Sequence, residues 1–169
     1  ARDGERLEAH LVPLGAGAFG STFPVRRNSV LNRSDIAADL IRNDAPRHNR
    51  RTLSGVIAHE CTHALLMDHL GAVAYWRLPF WKNEGYCDYI ADESSFDFDE
   101  GARLLREGGD DASPSFRSFR AHLMVRYLLE IERVTVNELF RRDFDEAEVM
   151  AGVRATLDRL RFGPMRERP

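Results

Sequence analysis

The spacing of apolar residues changes part-way along the chain. Residues 7–14, 18–25 and 29–31 are short apolar or β-branched runs punctuated by Gly15, Gly17, Gly20 and Pro24, which predicts strands and turns. Beyond residue 52 the apolar positions recur at helical spacing. Thr52 or Ser54 opens a long helix that runs to Leu70, with Gly71 as its stop. Pro79 precedes a second helix over 81–92, and a short one fits 100–106. Ser113-Pro114 pairs an N-cap with proline at the first helical position, opening an amphipathic helix to about residue 131. Thr135 with Glu138, and Asp145 with Glu148, are spaced as capping boxes for two more helices, the last ending near Leu160. Ser34 predicts a further short helix over 35–42, and 43–51 reads as a solvated loop with a basic cluster of Arg42, Arg47, His48, Arg50 and Arg51.

Strands first and helices afterwards predict an α+β fold. At 169 residues the chain fits one domain, here 1–160 with a tail over 161–169; strands and a first helix fill 1–71, and a helical part fills 72–160. A content of 43 % hydrophobic and 30 % charged residues excludes a mainly disordered chain. The net charge of −3 offers no nucleic-acid footprint, and no apolar run is long enough for a membrane span. The N-terminus lacks Met and a charged-then-apolar leader pattern and reads as a trimmed or processed start. The stretch 15–20, GAGAFG, lacks the Gly-Lys-Ser/Thr ending of a phosphate loop and reads as a turn.

The candidate chemistry lies in the long helix, at His59-Glu60-Cys61-Thr62-His63. Residues four apart differ by about 40° around a helix axis, so both imidazoles project from one face and can grip one metal ion. Glu60 stands beside them, placed to act on a water instead of the metal. Neutral imidazoles suit Zn²⁺ in a tetrahedral site with one open position. The flanks 55–58 and 64–67 are apolar, so the helix is expected to be buried, and buried His and Glu need partners. His69 is a weak third ligand: on a continuous helix it falls about 240° around and ~9 Å along from His63. The other candidate is Glu84, and Asp88 shares its helix face four residues on. Cys61 and Cys87 are expected to be small buried packing residues more than a disulfide.

His59-Glu60-Cys61-Thr62-His63 followed by Trp81-Lys82-Asn83-Glu84-Gly85-Tyr86-Cys87-Asp88-Tyr89 resembles the gluzincin metallopeptidases. The Trp-x-x-Glu-Gly flavour is similar to their aminopeptidase branch and the Glu-x-x-x-Asp spacing to their thermolysin branch. The resemblance covers residues 52–92 and implies a zincin-like fold: a small N-terminal sheet, then a mainly helical part that supplies the third zinc ligand. It implies zinc on His59, His63 and Glu84, Glu60 as general base, and Asp88 holding His59 from behind. Met124-Val125-Arg126-Tyr127-Leu128 resembles the helix that follows the catalytic tyrosine of the aminopeptidase branch, but the tyrosine's place falls at Ser118. The oxyanion donor is therefore open. Ser118, His122 and Arg126 share one helix face, which either meets solvent or turns to the cleft; in the second case His122 is the expected donor, with Tyr127 in reserve.

These readings converge on a zinc-dependent peptidase with a peptide or protein substrate. Two alternatives remain open: a noncatalytic zincin-fold module that binds zinc or a partner, and a metal hydrolase of non-peptide amides or esters.

Overall fold

The computed structural model describes residues 17–23 and 28–161. The strand expected over 7–14 and most of the tail lie outside the described residues. What is described is α+β, with two small antiparallel sheets followed by helices. In the first sheet β1 (Gly20–Phe23) pairs with β2 (Asn28–Leu31), Gly20 opposite Leu31 and Thr22 opposite Ser29. The second has the order β3 (Ser34–Asp35), β4 (Leu40–Arg42), β5 (Arg50–Thr52).

Residues 35–42 thus form a hairpin instead of the expected helix. The Asp35 carboxylate accepts a hydrogen bond from Ala38 N at 3.0 Å, a local turn that competes with helix formation. Asp39 turns at φ 46° and its carboxylate accepts hydrogen bonds from Ser54 N and Oγ, both 2.7 Å. The hairpin also delivers Ile41, fully buried, onto Leu53 and Val56.

β5 runs directly into α1 (Leu53–Leu70), capped by Thr52 through Gly55 N and stopped at Gly71, φ 79°. A five-residue α2 (Ala72–Trp76), not foreseen from the sequence, precedes α3 (Phe80–Ala91). Then come α4 (Phe98–Glu107), α5 (Pro114–Arg126) and a π-helical turn, Tyr127–Ile131. α6 (Val136–Arg141) carries the complete Thr135/Glu138 capping box. α7 (Glu146–Thr156), capped by Asp145, ends in a 3₁₀ turn, Leu157–Arg159.

The main core lies among α3, α5 and α7, around Trp81, Phe116, Phe119, Leu123 and Val153. α3 and α5 approach closely at Gly85, where a Cβ would collide with the Ala121 carbonyl. That contact fixes α3, and through it Glu84 and Asp88, against the rest of the helical part. α1 packs on α3 with a buried face that is not purely apolar: His59, Glu60, Thr62 and His63 lie among Val56, Leu66 and Met67.

Candidate metal centre

His59, Glu60 and His63 of α1 face a cavity of about 430 Å³ between β1, α1, α2, α3 and the start of α5. His59 Nε2 and His63 Nε2 stand 3.2 Å apart. From α3, Glu84 reaches the pair, with one carboxylate oxygen 3.4 Å from His59 Nε2 and the other 3.5 Å from His63 Nε2. Donors about 2.0–2.2 Å from a tetrahedral metal are about 3.3–3.6 Å from one another, close to these separations of 3.2, 3.4 and 3.5 Å.

The far sides of the two rings meet hydrogen-bonding partners. His59 Nδ1 donates to Asp88 Oδ1 at 2.8 Å. His63 Nδ1 lies 3.2 Å from Asn83 Oδ1, 3.2 Å from the Tyr75 hydroxyl and 3.3 Å from Cys87 Sγ. With the Nδ1 atoms occupied on the far side, both Nε2 atoms are left facing each other and the Glu84 carboxylate. Asp88 is itself held: Arg51 Nη1 donates to its Oδ1 at 2.8 Å, and Arg51 Nε donates to Glu93 Oε1 at 2.8 Å. Glu93 in turn accepts from Thr52 N and Oγ1, at 3.1 and 2.8 Å, tying the chain to the start of α1.

Electrostatics follow from this packing. Burial would raise the Asp88 carboxyl pKa, but Arg51 and His59 outweigh it and hold it well below the carboxylate range. Burial lowers the His59 pKa, yet Asp88 and Glu84 reverse the sign and push it up to about 9 in the metal-free protein. Burial dominates at His63 and lowers its pKa, despite Glu84. Burial opposes ionisation of Glu84, but the two histidines bring its pKa down. The Cys87 thiol is pushed far up by burial and by the nearby Glu84 and Asp88 carboxylates. His59, His63 and Cys87 form a buried group that could hold a metal ion. Cys87 approaches the Nδ1 edge of His63, however, away from the Nε2 atoms that Glu84 meets, and its environment favours the neutral thiol.

Glu60 is buried at the cavity wall, where Thr22 Oγ1 donates to its Oε2 at 2.6 Å. Thus His59, Glu60, His63, Glu84 and Asp88 come together. His122 does not: it is fully buried in the helical core, its ring 6.5 Å from that of Tyr89. It does not line the cavity, so the expectation of an oxyanion donor there is corrected. The stripe splits because α5 packs closely on α3 at Gly85: Ser118 borders the cavity, while Arg126 pairs with Asp92 at 2.9 Å and Glu130 at 3.1 Å. Tyr127 donates to Glu132 at 2.6 Å. His69 is exposed at the end of α1. Cys61 is exposed, against the expectation of burial, and both cysteines are free.

Sequence reasoning missed Thr22, Tyr75, Asn83 and Glu93, and it placed Arg51 in a solvated loop. Only Asn83 carried a signal, its position beside Glu84. Compared with known proteins, the chain matches no family model, no curated protein and no solved structure.

Proposed function

We propose that the chain is a zinc-dependent peptidase. The observation that carries the reading is the convergence of His59 Nε2, His63 Nε2 and the Glu84 carboxylate at tetrahedral ligand spacings beside the buried Glu60. Oxygen and nitrogen donors of this kind suit Zn²⁺, and a three-residue set leaves a position open for chemistry. Zinc, when bound there, supplies a Lewis acid that polarises a carbonyl and acidifies water.

The residues divide the remaining work. His59, His63 and Glu84 hold the ion. Asp88 keeps the His59 ring in the Nδ1–H tautomer, and Asn83 does the same for His63. Glu60 takes a proton from the attacking water as its oxygen bonds to the peptide carbon. The same carboxyl then returns the proton to the amine nitrogen as the C–N bond breaks. Ser21 and Trp76 are among the residues that border the cavity a peptide would enter.

The test is metal analysis of the purified protein with a peptide-library cleavage assay, before and after chelation and after zinc is restored. Cleavage should vanish with the metal and return with zinc. Glu60→Gln should retain fold and zinc but lose most of its turnover. Near-normal turnover by that variant would refute the mechanism, as would full cleavage by chelated protein. Hydrolysis of small esters without peptide cleavage would favour the other hydrolase class.

A further inference from the structure

The carboxylate of Glu60 does not stand free in the cavity; β1 holds it. Side chains alternate along a strand, so Gly20 and Thr22 present the same face, and that face meets Glu60. Thr22 Oγ1 lies 2.6 Å from Glu60 Oε2, the length of a charge-assisted hydrogen bond. The same hydroxyl lies 3.1 Å from the Glu60 carbonyl oxygen and 2.7 Å from Ser29 Oγ, its cross-strand neighbour. A threonine hydroxyl has one proton. With that proton on Glu60, Ser29 donates to Thr22, and a hydroxyl chain runs from β2 through β1 to the carboxylate. The second carboxylate oxygen rests against Gly20, where a Cβ would come within 2.7 Å of Oε1.

We infer that Thr22 is a positioning residue for Glu60, and that the glycine at position 20 preserves the space the carboxylate needs. This rests on the reading of Glu60 as the general base. One oxygen is tethered by Thr22, so the other is kept at a fixed height above α1 to meet the water. Without the tether the carboxylate turns freely about its last torsion and spends less time in the productive orientation.

The experiment compares Thr22→Val, Thr22→Ser and Gly20→Ala with the parent. Valine keeps the shape and removes the hydroxyl; serine restores it. In peptide cleavage, Thr22→Val should lower kcat by about 10- to 100-fold, with KM and zinc content unchanged. Thr22→Ser should recover to within about 3-fold of the parent, and Gly20→Ala should also lose kcat by pushing Oε1 aside. A reading that does not need turnover is the affinity of acetohydroxamate for the zinc-loaded protein, because a hydroxamate held on the metal also donates a hydrogen bond to a neighbouring carboxylate. Its binding should weaken in Thr22→Val and return in Thr22→Ser. If the parent cleaves no peptide, the peptidase reading fails and the hydroxamate series alone decides on Thr22. If kcat and hydroxamate affinity in Thr22→Val both stay within about 2-fold of the parent, the positioning role is overturned.

Discussion

Arg51→Met isolates the polar support behind His59. The guanidinium bridges Asp88 and Glu93 at 2.8 Å each, with side-chain exposures of 8 % for Arg51, 2 % for Asp88 and 8 % for Glu93. Methionine fills much of the same volume but leaves two carboxylates buried without their shared cation. Removing one partner of a buried ion pair costs about 3–5 kcal/mol, because the remaining charge stays desolvated. For a chain of this size each kcal/mol moves Tm by about 2–4 °C, so a fall of about 6–20 °C is expected. The His59–Asp88 hydrogen bond survives and places the result nearer the lower end.

The sign of the pH dependence follows from Asp88, whose carboxyl is held below its ordinary range by Arg51 and His59 despite burial. A depressed carboxyl lends stability that is full above its unfolded pKa of about 3.9 and is lost as pH falls through the folded value. Without Arg51 that depression weakens and Asp88 protonates more readily. The gap between parent and variant should therefore be widest at neutral pH and shrink as pH falls below about 3.9, towards about pH 3. The assay is thermal unfolding by circular dichroism with chelator present, at both pH values, with Arg51→Lys as a charge-retaining control. A variant within about 2 °C of the parent at neutral pH, or a gap that widens on acidification, would refute the reasoning.

Glu84→Ala should abolish stoichiometric zinc binding while Cys87→Ser retains it, as measured by metal analysis after dialysis; the reverse pattern would assign the site to His59, His63 and Cys87. Asp88→Ala should weaken zinc by about 10- to 100-fold in competition with a chromophoric chelator, and unchanged affinity would remove its role. His122 is buried and its pKa is lowered to about 4, so stability present above about pH 6.5 is lost as pH falls towards 4. In chelated protein, His122→Gln should flatten that limb of a Tm–pH curve, and an unaltered slope would count against the assignment.

The helices other than α2 were legible because their signals are local. Thr52 and Gly71 bracket α1, and Ser113-Pro114 opens α5, each within a turn of the element it controls. The segment 35–42 misled because its decisive contacts are tertiary: Asp39 is claimed by Ser54, and Ile41 by Leu53 and Val56. A cap-like serine could not reveal that. The closeness of His59, His63 and Glu84 was legible from spacing together with a resemblance, whereas the residues that support them were not. Arg51 finds Asp88 37 residues away and Glu93 42 residues away, pairings with no periodicity to betray them. In sequence, Arg51 is one arginine among several in a basic stretch, and only the fold separates it from exposed Arg50.

Those distant pairings also bear on why so small a sheet is retained. A two-stranded hairpin alone is marginally stable in water, and β1–β2 pairs with no further strand among the described residues. Its attachments are polar as well as apolar: Thr22 donates to Glu60, and Phe19 and Leu31 pack against the cluster of Ile41, Leu53 and Val56. The second sheet is tied through Arg51 to Asp88 and Glu93, and through Asp39 to the start of α1. Both sheets are thus anchored to α1 or α3 by residues that surround the candidate centre. Loss of a buried charge there leaves the remaining partners unpaired, so damage to the site is also damage to the docking of the sheets. In this arrangement the polar residues that interrupt the apolar face of α1 join the two halves of the fold as well as forming the cavity wall.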